Sequence, residues 1–117
     1  ATVRSVWERC GAQVIELDPA GHDRTFAAVS HLPHVLAFGL VAQLAARPDA
    51  ETLFAHAASG FRDFTRIAGS SPEMWRDIAL ANRGALGVAL AEYRAMQASA
   101  ARRRWQQGAA LPKPVDR

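Results

Sequence analysis

Apolar residues recur every three to four positions along most of this chain, and the recurrence is punctuated by glycine and proline. The opening, TVRSVWERCGAQVIELDP, sets Val3, Val6, Trp7 and Cys10 at helical spacing, stops at Gly11, and then runs apolar from Ala12 to Leu17. Helix, glycine, strand is the order in which an α/β unit ends. One strand cannot make a sheet, so residues 1 to 17 either rest on a helical body or belong to a domain whose remainder lies outside this sequence.

Asp18 and Pro19 then open a long helix that the period carries to about Arg47: aspartate can accept from free amides, and proline has no N–H to lose at the first helical position. At about 100° per residue, Phe26, Val29, Leu32, Leu36, Leu40 and Leu44 share one side. His31, His34 and Phe38 gather on the other. The stretch RPDAETLF predicts a turn into a short helix capped by Asp49, and ASGFRDFTRIAG predicts about two helical turns bounded by glycine. A second long helix is expected from Ser71, as cap, and Pro72 to about Met96.

On that helix Arg76, Arg83 and Arg94 align on one side and Met74, Ile78, Ala81, Ala85, Val88 and Ala89 on the other, while Leu80, Leu86 and Leu90 spread apolar surface towards the arginines. Gly84 and Gly87 each cost about 1 kcal/mol relative to alanine, a loss that close approach by another helix could offset. Burial on more than one side, and hence self-association, follows. Gly108, Pro112 and Pro114 predict an extended tail over 109–117.

The chain has 117 residues, half of them hydrophobic, which suits one small domain with a core. No uninterrupted apolar run approaches the roughly 18 residues of a bilayer span, so no membrane role is expected. The single cysteine, Cys10, excludes an internal disulfide and favours a cytoplasmic setting. The sequence begins without methionine and without a secretory pattern, as a processed or excised piece would.

The net charge of +3 is misleading. Residues 98–117 carry +4, which leaves −1 for residues 1–97. The basic run is a helix end rather than a nucleic-acid footprint.

Two stretches could carry chemistry. In SHLPH, Pro33 should cost about 3 kcal/mol in mid-helix. Either it kinks a core helix, or the kink aims His31 and His34 into a cleft. Metal binding would need a third ligand that the stretch does not supply, and none is expected. In GFRDFTR, Arg62 and Arg66 are four apart and Asp63 is spaced to pair with Arg66. The cluster is either a surface ion-pair group or a carboxylate clamp in which Asp63 holds or releases Arg66. Trp75 suits a core anchor or the rim of a polar site.

Together, HDRTFAAVSHLPHVLAFGLV, SGFRDFTRIAGSSPEMWRDI and LANRGAL, in this order and spacing, resemble the C-terminal helical domain of the prephenate dehydrogenase family, which includes arogenate and cyclohexadienyl dehydrogenases. The resemblance covers roughly residues 12 to 95. It implies a mainly α fold in three parts: residues 1–17 as the last helix and strand of a Rossmann domain, 18–108 as the dimerisation and substrate-binding domain, and 109–117 as a tail.

It further implies an NAD(P)-dependent oxidative decarboxylation of prephenate or arogenate in a cytoplasmic homodimer of tyrosine biosynthesis, without nucleic acid. His34 and Arg66 would contact substrate, with Arg62 and Asp63 around Arg66, Trp75 at the border and His31 nearby. The catalytic histidine and the glycine-rich cofactor loop belong to the family's N-terminal domain, so residues 1–117 alone are expected to be inactive and to hold no NAD or NADP. Family members also continue through further helical sequence after the position of Gln97, where this chain passes directly to ASAARRRWQQG. The competing reading is a non-catalytic dimerisation or regulatory module of the same fold.

Overall fold

The computed structural model describes residues 2–108, and the expected tail over 109–117 lies outside them. The described residues form helices joined by short turns, with no strand among them. Helix α1, Thr2–Arg9, ends at Gly11, whose φ of +83° is the left-handed conformation that terminates helices. Arg4 ties the returning chain to α1, pairing with Glu8 and Glu16 and donating to the Val14 carbonyl at 3.4 Å. The strand expected over Ala12 to Leu17 is absent. A strand exists only where a neighbour takes its N–H and C=O groups, and no such neighbour occurs among the described residues.

The first long helix forms where expected but is not uniform. Asp18 Oδ1 accepts from the Gly21 amide at 3.2 Å and Pro19 opens α2, Pro19–Phe26. A side chain at residue 21 would press on the Asp18 carboxylate, which would have to shift. One turn of π-helix follows at Ala27–His31, in which the Leu32 amide reaches back five residues to the Ala27 carbonyl, and α3 continues over Leu32–Ala45. The wide turn places Pro33 in the first turn of α3, where a missing N–H is tolerated.

By length and composition alone, the helical stretch Pro19–Ala45 could cross a membrane. Here the turn at Arg66–Gly69 and helices α5 (Ser59–Thr65) and α7 (Arg83–Ala98) pack against it. Its core contacts are not the leucine stripe: Ala27 and Ala37 are 1% and 0% exposed, while Val29 is 69% exposed. Small residues bury fully because they let neighbouring backbones come close.

Helix α4 is Ala50–Ala55. Asp49 precedes it without capping it, because its carboxylate is taken bidentately by Arg47 at 2.8 and 2.9 Å. Helix α5, Ser59–Thr65, passes into one 3₁₀ turn, Arg66–Gly69, that packs on α3.

The second long helix is in fact two. Ser71 caps α6, Pro72–Ala81, accepting from the Met74 amide at 3.2 Å, and Asn82 then leaves helical geometry (φ −106°, ψ 28°) before α7, Arg83–Ala98. The break follows from side-chain chemistry, since the Asn82 amide is engaged by two partners from the first long helix. Helix α7 runs unbroken through Gln97 and Ala98, and α8, Ala100–Gln106, follows.

Among the described residues only Ala27, Ala37, Leu86 and Ala89 are buried, while Met74, Leu80 and Val88 stand 49%, 60% and 60% exposed. Nothing stands within 4 Å of where a side chain would begin at Gly84 or Gly87. This much open apolar surface on α6 and α7 is what a partner subunit would cover.

Candidate functional site

A cavity of about 230 Å³ lies between the first long helix and α6, lined by His31, His34, Val35, Phe38, Pro72, Trp75, Arg76 and Ala79. The π turn and α3 bring the two histidines and Phe38 to one wall. The Ser71 cap fixes the start of α6 and so places Trp75 one turn later on the other. The His34 ring stacks flat on the Trp75 indole, with centroids 3.4 Å apart and planes 15° apart. His31 meets the same indole edge-on at 6.2 Å and 71°.

The Trp75 indole Nε1 is buried without a hydrogen-bond partner. An unpaired buried N–H costs about 1–3 kcal/mol. His34 Nδ1 lies 2.9 Å from the Ser30 carbonyl, and His31 Nδ1 lies 3.1 Å from Asn82 Nδ2. Burial lowers the His31 pKa below its ordinary value, and nearby His22 and His34 add to this while Asp23 opposes it.

Of the residues expected at a site, His31, His34 and Trp75 come together here. Arg62, Asp63 and Arg66 do not line this cavity; all three are exposed, on α5 and the turn after it. The expected Asp63–Arg66 ion pair is not formed among the described residues, because α5 ends at Thr65 and Arg66 follows the tighter 3₁₀ path. The cation that does line the cavity is Arg76, whose guanidinium pairs with Asp77 at 2.8 Å. Neither the cavity position of Arg76 nor the contacts of Asn82 follow from helical periodicity. An asparagine followed by Arg-Gly inside an apolar helical run is the signal that would have marked a helix break there.

No cluster of three metal-ligating side chains occurs among the described residues. Nor do they fit a dinucleotide: the eight glycines contain no G-x-G-x-x-G, and no strand leads into a glycine-rich turn.

Residues 18–108 match the family described as prephenate dehydrogenase, dimerization domain. The chain is 42% identical over 82 residues to prephenate dehydrogenase of Bacillus subtilis, covering 69% of this chain and 22% of that protein. It is 35% identical over 88 residues to cyclohexadienyl dehydrogenase of Zymomonas mobilis, covering 74% and 30%. The crystal structure of prephenate dehydrogenase from A. aeolicus, in complex with hydroxyphenyl propionate and NAD⁺, superposes with a TM-score of 0.76 at 38% identity over 92% of this chain and 39% of that one. The chain thus spans less than a third of the length of these curated relatives. With its helical architecture, its two motif-bearing walls and a match over residues 18–108, it belongs to the prephenate dehydrogenase dimerization-domain family.

Proposed function

We propose that residues 18–108 are the dimerisation and substrate-binding part of a soluble, cytoplasmic prephenate or arogenate dehydrogenase, with residues 1–17 joining them to a nucleotide-binding domain. The observation that carries this is the stacked His34–Trp75 pair, which lines a cavity together with His31 and Arg76. A planar, apolar and weakly polar pocket of this kind suits a six-membered carbocyclic ring, and the unpaired indole N–H suits an oxygen on it.

In this reading His34, His31 and Trp75 bind and orient the ring, and Arg66 takes a substrate carboxylate, with Arg62 and Asp63 setting the field around it. NAD or NADP would accept hydride as the ring carboxylate leaves as CO₂; it would be held outside these residues, together with the catalytic histidine. The open face of α6 and α7 supports a homodimer.

The test is NAD(P)⁺ reduction by the full-length protein with prephenate and with arogenate, comparing the native protein with His34→Ala and Trp75→Ala. A large loss of kcat/KM is expected in both variants. Unchanged kinetics in both, or no turnover by the native protein, would favour a module that only dimerises.

A further inference from the structure

The two histidines of the SHLPH stretch occupy equivalent-looking positions, yet their ring nitrogens meet opposite chemistry. His34 Nδ1 faces the Ser30 carbonyl at 2.9 Å, and a carbonyl only accepts, so this nitrogen carries the proton. In the neutral ring, Nε2 of His34 is then a bare acceptor.

His31 Nδ1 faces Asn82 Nδ2 at 3.1 Å. The orientation of the Asn82 amide is fixed independently, because the same Nδ2 donates to the Asp23 carbonyl at 2.8 Å, where the amide oxygen would be repelled. One hydrogen of the –NH₂ goes to Asp23 and the other to His31. The His31 Nδ1 therefore accepts, and its proton sits on Nε2.

We infer that Asn82 is a positioning residue that holds His31 as the Nε2–H tautomer, opposite to the tautomer the Ser30 carbonyl imposes on His34. Two rings that both meet Trp75 at the cavity wall thereby carry opposite tautomers. His31 then contributes direction rather than positive charge to whatever binds. Protonating His31 would place an N–H against the Asn82 donor, so the lock also opposes the imidazolium. The groups facing His31 are His22 and Asp23 from α2, His34 from α3 and Arg76 across the cavity from α6. Its lowered pKa agrees with this arrangement.

The functional weight of the lock rests on the proposed substrate site, but the lock itself can be read without substrate. Histidine tautomers are distinguished by ¹⁵N shifts and long-range ¹H–¹⁵N couplings in ¹⁵N-histidine-labelled full-length protein. The expected result is a pyridine-type Nδ1 and protonated Nε2 for His31, and the reverse for His34. Asn82→Asp, which replaces the donor by an acceptor of the same shape, should move His31 to the Nδ1–H form, and Asn82→Ala should give a mixture.

Finding Nδ1–H on His31 in the native protein would overturn the inference, as would an unchanged His31 signal in both variants with native circular dichroism. If Asn82→Asp switches the tautomer but leaves KM and kcat unchanged, the lock stands, and it is the substrate-site reading that fails.

Discussion

The His34 imidazole lies parallel to the Trp75 indole with 3.4 Å between ring centroids, so each ring fixes the other where the first long helix meets α6. The pair joins the two sequence motifs into one wall. It also leaves the indole N–H buried and unpaired, a cost to the fold.

Trp75→Phe separates these roles. Phenylalanine keeps the stack but deletes the N–H, so the unfolding midpoint in urea should stay level or rise. Substrate binding should weaken by about 1.5–3 kcal/mol if the N–H meets a charged oxygen, read as roughly a 10- to 150-fold rise in KM. A fall in stability with unchanged KM would place the indole in the structural framework alone.

Arg66→Ala tests the clamp, whose position on the turn after α5 is exposed in the single chain. Losing a desolvated guanidinium–carboxylate pair should cost about 2–5 kcal/mol of substrate affinity, with Arg66→Lys recovering only part because an ammonium lacks the bidentate fork. Unchanged kinetics would transfer the clamp to Arg76, the cation that lines the cavity.

The depressed pKa of His31 has a definite sign for stability. The unfolded chain protonates near the ordinary histidine value of about 6.5, and the folded chain only at lower pH. Stability from this group is therefore complete above about pH 6.5 and is lost as pH falls from there through the folded pKa. His31→Gln should flatten the dependence of denaturant midpoint on pH over that window. An unaltered slope would remove His31 as its source.

Ser71→Ala removes the cap that accepts from the Met74 amide. A stability loss of about 1 kcal/mol is expected. The start of α6 sets the height of Trp75, so tryptophan fluorescence should shift as well, and a variant with native stability would deny the cap its role.

Val88→Glu addresses the open face. The residue is 60% exposed in one chain, so a carboxylate there should cost an isolated subunit little but should obstruct a dimer that buries it. Sedimentation velocity should show the dimer of the native protein giving way to monomer. A dimer of unaltered stability would move the interface elsewhere.

What the sequence made legible was local chemistry. Asp18, Pro19, Ser71 and Pro72 start helices where such residues must, since the free amides of a helix end have few other solutions. His31, His34 and Trp75 are picked out by two stretches in register with one family, and all three line the cavity between the first long helix and α6. The π turn was not legible: a shift of hydrogen bonds from four residues to five needs no particular residue type at the turn. Asp49 had the right identity for a cap but a stronger partner in Arg47. The apolar run after Gly11 read as a strand because alternation records what a segment could pair with, not whether the pairing partner is present. Arg76 and Asn82 were overlooked because their roles depend on contacts far apart along the chain.

That distance has a consequence for how the site comes into being. Asn82 reaches partners 51 and 59 residues earlier, so the contact that orients His31 closes among the largest loops in the domain. The entropy of closing a loop of this length is lost before the non-local contact offsets it. The first long helix can form early and orient His34 locally through the Ser30 carbonyl, yet His31 has no fixed polarity until Asn82 has returned across it. A chain still emerging from synthesis, or one locally opened at the α6–α7 corner, would hold the same residues without the same site.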